Sequence, residues 1–258
     1  MVFSICKEVL PYYANLPGVS DSSGIMAKEE LACWVYLFAQ SNQLGQGAVS
    51  LKNIAEAFGY SSASANTPKI LTSIRDALIG MVQKAKGETS AEFDMDADDV
   101  KAAKPTQKIK YTVKTYQSSR QKPFIQIPSQ DVEELLLVFR GSKIKLPELI
   151  NLYTAILGNL ITLKNGIGHW LWSTYLMSIC GVCEATFLKY RRALVAQNLI
   201  YIQCQQDHPT YYAKTDTPEL WQEIEMLEHK NRRKGMAAAR QSDKTDMEEK
   251  KHEFGKAD

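Results

Sequence analysis

Four side chains able to hold a soft metal fall close together in the last third of the chain: Cys180 and Cys183, separated by two residues, then Cys204 and His208. Three thiols and an imidazole are the donor types of a tetrahedral zinc site. Their positions argue against one. Cys180 and Cys183 flank a glycine corner between two helical stretches, whereas Cys204 and His208 lie along a strand and the turn that follows it. Convergence would require dismantling that pattern, so no metal and no cofactor is expected, and a buried thiol acts as a small hydrophobe.

Other chemistry finds no better home. There is no GxxxxGK[ST] loop to cradle a nucleotide phosphate. The histidines at 169, 208, 229 and 252 are scattered, with no two separated by a single hydrophobic residue. Asp131, Glu133 and Glu134 have no His or Cys beside them and suit the solvated start of a helix. The chain is therefore expected not to be an enzyme.

What remains is cationic. The spacing predicts a helix over Ser173–Ile179, a corner at Gly181, and a second helix over Glu184–Gln197. On the second, Phe187, Tyr190 and Leu194 fall on one face, and Ala185, Lys189, Arg192 and Ala196 on the other. Arg191 projects nearer the packed face, so its stem is expected to be partly buried. Asn198 stands where a left-handed helix stop is wanted. Period-two strands follow over Leu199–Cys204 and Tyr211–Lys214, around a turn over Gln205–Thr210.

This order, with Gly181, Phe187, Leu194 and the Asn198-Leu199-Ile200 helix exit, resembles the winged-helix DNA-binding domains over roughly 70 residues from Lys145. The resemblance implies that the second helix enters the major groove. Lys189 and Arg192 would then face the duplex, with Thr186 near the helix start and His208 at the wing tip. The plain alternative for Lys189 and Arg192 is a solvated helix face.

A similar order lies upstream. Ser50 caps a helix over Leu51–Phe58, and Thr67-Pro68 begins another that runs to about Val82. Lys69, Thr72, Ser73 and Asp76 face away from its apolar stripe. The wing of this unit is expected to have Gly80–Gly87 as one arm and Lys108–Gln117 as the other. Lys108, Lys110 and Lys114 on the second arm can contact phosphate or simply protect a sheet edge. Between the arms, an acidic insertion at about 88–106 is expected to be disordered. Each unit opens with a short strand (Val2–Ile5, Phe124–Pro128) and a long helix (Met26–Gln40, Pro147–Leu163), which reads as an internal duplication.

Bulk properties agree. With 258 residues, 45% hydrophobic and 23% charged, the chain is long enough for two globular domains. The net charge of +2 averages an acidic run at 88–99 against a basic run at 103–123. No apolar run reaches a membrane span, and five cysteines, an odd number, point to reduced thiols and a cytoplasmic chain. The expected fold is mainly α with small β wings (α+β), as two winged-helix domains in tandem: residues 1–117, residues 118–216, and a helix with a charged tail over 217–258. The basic run Lys230–Lys234 at the end of that helix is open to two readings, a contact with DNA or a partner, and a soluble end.

Tandem units of this kind resemble the plasmid and phage replication initiators, or replisome organisers. That resemblance implies binding to repeated origin DNA and recruitment of a host replicative helicase or its loader, near plasmid or nucleoid, with a homodimer left open. The second unit would read sequence, even as an isolated Phe124–Lys214 fragment, while the first grips backbone. A transcriptional regulator and a protein-interaction scaffold are the competing classes.

Overall fold

The computed structural model describes residues 2–20, 24–60, 66–85, 93–114, 123–139, 144–204 and 209–234. They form a mixed α+β chain, largely helical, with small antiparallel sheets. The first half runs β1 (Val2–Cys6), two 3-10 turns (Lys7–Val9 and Pro11–Asn15), α1 (Lys28–Gln40), β2 (Gln46–Val49), α2 (Leu51–Ala57), α3 (Thr67–Ala85), β3 (Phe93–Met95), α4 (Ala97–Ala102) and β4 (Ile109–Val113). The second runs β5 (Phe124–Pro128), α5 (Ser129–Phe139), α6 (Leu146–Asn159), β6 (Ile161–Leu163), β7 (Gly166–Leu171), α7 (Ser173–Cys180), α8 (Glu184–Ala196), β8 (Tyr201–Gln203) and β9 (Thr210–Ala213). A last helix, α9, begins at 218 and continues to 234, the last described residue. Among the described residues no helix is long and apolar enough to cross a membrane.

Two of the sheets share one strand order. In β2-β4-β3 the strand before the helix pair lies beside the last strand, whose other neighbour is the strand after the pair; β7-β9-β8 repeats this, with β6 added outside β7. The third sheet joins the two opening strands to each other. β1 and β5 pair antiparallel, with Ser4 opposite Gln126.

The chain divides into two compact units, at places other than 117 and 216. One is Met1–Leu160 with Leu171–Ile200, and the other is Ile161–Trp170 with Tyr201–Asp258. The β1–β5 pairing and the packing of α1 on α3, α5 and α6 fuse helices of both halves into the first unit. Its core holds Leu31, Cys33, Trp34 and Leu37 of α1 with Leu149, Ile150, Leu152, Tyr153 and Ile156 of α6, each at most 1% exposed. The second unit has its own core of Tyr211, Ala213, Leu220 and Ile224, flanked by Leu163, Trp170 and Trp221.

Three expectations need correction. Gly80 begins no wing arm: α3 continues through it, burying Met81 and Val82, and a Cβ there would run into Glu30 Oε1. Gly80 therefore makes room for a buried carboxylate and marks no turn. The partners of β4 are β2 and β3 instead. Within the acidic insertion, Phe93–Met95 is a strand and Ala97–Ala102 a helix, because Phe93, Met95, Val100 and Ala103 are buried. Asp96 caps that helix through the amides of Asp98 (2.8 Å) and Asp99 (3.2 Å), and Arg75 of α3 donates to the carbonyls of Val100 (3.3 Å) and Ala103 (3.0 Å) at its far end. Finally, the helix expected over Pro147–Leu163 stops at Asn159, and Ile161–Leu163 forms a strand with Gly166–Gly168.

Candidate nucleic-acid interface

Gly181 closes α7 in the left-handed conformation (φ 62°, ψ 42°), with Val182 N–H donating to Met177 O at 3.1 Å. The carbonyls this helix end leaves without intrahelical partners are met by the first half of the chain. Asn15 Nδ2 donates to Ile179 O (2.6 Å) and Lys28 Nζ to Cys180 O (3.0 Å). The corner between α7 and α8 is thus fixed from outside as well as by its own glycine.

On α8 the apolar face is seated as its spacing predicts, with Phe187, Tyr190 and Leu194 at most 3% exposed. Tyr190 donates to Glu148 Oε2 on α6 (2.7 Å) and accepts from the Lys145 amide (3.3 Å), while Lys145 Nζ lies 3.2 Å from Glu148 Oε1. Partial burial would raise the Glu148 carboxyl, but the hydrogen bonds from Tyr190 and Lys145 and the Lys145 charge outweigh it and hold the carboxyl below its ordinary range. Asn198 ends the element with φ 55°, and Leu199 N–H returns to Leu194 O at 3.0 Å.

The opposite face of α8 is open. Ala185, Lys189, Arg192 and Ala196 are all exposed, and the Lys189 ammonium sits 5.9 Å from the centre of the Tyr190 ring. Thr186 is half-buried, its hydroxyl 3.3 Å from Cys183 Sγ at the helix start. Arg191 differs from its neighbour: it is half-buried with its guanidinium 5.3 Å from the Phe187 ring centre. Arg191→Ala is expected to cost about 1 kcal/mol of stability, and Arg192→Ala no more than about 0.5. Urea denaturation of the two variants checks this, and equal midpoints would rule out the ring contact.

The upstream residues are more mixed in character. Lys69 and Thr72 are exposed on α3, but the Thr72 hydroxyl donates to Pro68 O (3.0 Å) within its own helix. Lys108, Lys110 and Lys114 are exposed along and beside β4. The acids that precede them in sequence share this surface: Asp94 pairs across from Thr112, and one open groove is lined by Asp94, Asp96, Asp98, Asp99 and Lys110. Lys110 thus shares its face with four aspartates of the acidic run, which weakens the pull of that face on phosphate.

His208 lies outside the described residues. All five cysteines are free thiols. Burial pushes the Cys180 thiol up to about 12, while the hydrogen bond with Thr186 lowers that of exposed Cys183. Among the described residues no group of three or more His, Cys, Asp or Glu converges as a metal cage. Sequence reasoning missed Asn15, Lys28 and Glu148, which position the corner and α8, and nothing local to those residues announces contacts so distant in the chain. Compared with known proteins, the chain matches no family model and no curated protein.

Proposed function

We propose that this chain is a tandem winged-helix protein that binds double-stranded DNA, with α8 as the helix that reads the major groove, and that it serves as an origin-binding initiator of a mobile element. One observation carries the DNA reading: α8 follows a glycine corner, buries Phe187, Tyr190 and Leu194, and turns Lys189 and Arg192 to solvent between the small residues Ala185 and Ala196. Small residues beside long cations let a helix approach base edges closely. The repeated strand order of β2-β4-β3 and β7-β9-β8 supports the tandem reading. The first half, with its mixed-sign β4 face, adds phosphate contacts through Lys69 and Lys108 rather than reading bases.

Replacing both Lys189 and Arg192 by Ala is expected to weaken binding to a selected duplex by about 1–3 kcal/mol per lost contact, while the loss of the Lys189–Tyr190 ring contact and of one exposed cation lowers folding stability by no more than about 1 kcal/mol. Unaltered affinity would remove α8 from the interface and favour a protein-docking role. Sequencing duplexes selected by the pure chain separates the remaining classes: direct repeats support initiation, and a single operator overlapping a promoter supports a regulator.

A further inference from the structure

The last helix outruns its own packing. Along α9 the buried positions are Leu220, Ile224 and Glu228, and every residue from 229 to 234 is exposed although the helix continues. The buried Glu228 carboxylate takes the Arg232 guanidinium, turning that cation back toward the body of the helix. His229 reaches Glu225 at 3.7 Å and Glu228 at 3.8 Å. The outward stripe is then Met226, Lys230, Arg233 and Lys234, at helical offsets of four, seven and eight, with Met226 65% exposed. No acid lies within 229–234.

An ordinary solvated helix face carries scattered charges of both signs and does not require an exposed methionine in line with three cations. Cations one helical turn apart stand about 5–6 Å from one another at Cβ, a spacing suited to successive phosphates of a nucleic-acid strand. The stripe carries no aromatic ring to stack on a base and no amide to read one. We infer that residues 226–234 of α9 form a phosphate-gripping arm that holds duplex DNA without regard to sequence, with Lys230, Arg233 and Lys234 as its contacts and Met226 packing over sugar. This rests on the duplex-binding reading of α8 and gives the chain a second, sequence-blind hold.

The test uses the intact chain carrying Lys230→Ala, Arg233→Ala and Lys234→Ala together, titrated with a selected duplex and with a scrambled duplex of equal length over a series of salt concentrations. Because all three side chains are exposed, the urea midpoint should not move. Affinity should fall roughly tenfold or more on both duplexes alike, and the slope of log K against log salt should flatten by up to about 2.7, at about 0.9 per phosphate. The preference for the selected duplex should persist, whereas Lys189→Ala with Arg192→Ala should erode it. If the unaltered chain binds and the triple variant keeps its affinity and slope, the arm does not touch DNA. The same holds if only salt-sensitive self-association is lost, since the partner would then be an acidic protein face. If the unaltered chain binds neither duplex at any salt, the α8 reading itself fails.

Discussion

A fragment spanning residues 124–214 will show no cooperative unfolding transition, although its sequence contains a complete candidate reading unit. Removing the first half takes β1 from β5, which has no other strand partner among the described residues. It also takes Asn15 and Lys28 from the carbonyls at the end of α7, and Lys7 Nζ from Gly158 O at the end of α6 (2.5 Å). The larger loss is apolar. Leu146 to Ile156 of α6 is buried apart from half-buried Glu148, and α1 packs on that helix. Returning a buried aliphatic side chain to water costs about 1.5–3 kcal/mol, so a handful of them exhausts the roughly 5–15 kcal/mol that holds a typical domain folded. Near-ultraviolet circular dichroism and urea titration of the fragment provide the check. A sigmoidal transition with a native-like near-ultraviolet spectrum would show the halves to be separable. The shares of the two halves in the proposed DNA binding are therefore to be measured by substitutions in the whole chain.

Glu30→Ala should destabilise the protein by about 3–5 kcal/mol, the range for breaking a buried ion pair from one side. The Glu30 side chain is 9% exposed and lies 2.6 Å from Lys84 Nζ, which is 25% exposed. The same carboxylate oxygen accepts the Ala27 amide at 2.8 Å, and its partner oxygen occupies the space above Gly80. One side chain thus fixes the start of α1, the far end of α3 and the spacing between them. Replacing both ends of the pair with Met should recover most of the loss, since an apolar pair of similar volume removes the stranded charge. Urea midpoints of the single and double variants decide it; a single-variant loss under about 1 kcal/mol, the size of an exposed pair, would refute the buried-pair account.

These two results also mark where the sequence stops being readable. Gly181, the Phe187-Tyr190-Leu194 stripe and the Asn198 stop were legible because a corner, a helix face and a helix end are each decided within a few residues. Gly80 misleads because its cause, the Glu30 carboxylate, lies fifty residues earlier and on another helix. The acidic insertion misleads differently: its aspartates dominate composition, while Phe93, Met95 and Val100 are too few to register as a pattern yet suffice to bury a strand and a short helix. The strands β2 and β7 were missed since glycine interrupts the apolar alternation of each, at Gly47 in β2 and at Gly166 and Gly168 in β7. Lys189 and Arg192 were legible as the open face of α8, but the neutralising company of Lys110 was not, because strand pairing sets it.

The β1–β5 ribbon also has a temporal side. When Val2–Cys6 leaves the ribosome, its partner strand is not yet made. At roughly 5–20 residues per second, the stretch from Cys6 to Phe124 takes on the order of 6–24 s to appear. During that interval α1 and α3 can meet, but the opening strand has nothing to pair with, and the apolar face of α1 that α6 covers stays open. The nascent first half is therefore expected to carry open apolar surface until residue 160 is out, so that a chain stalled in between would be prone to aggregate rather than form a small working domain.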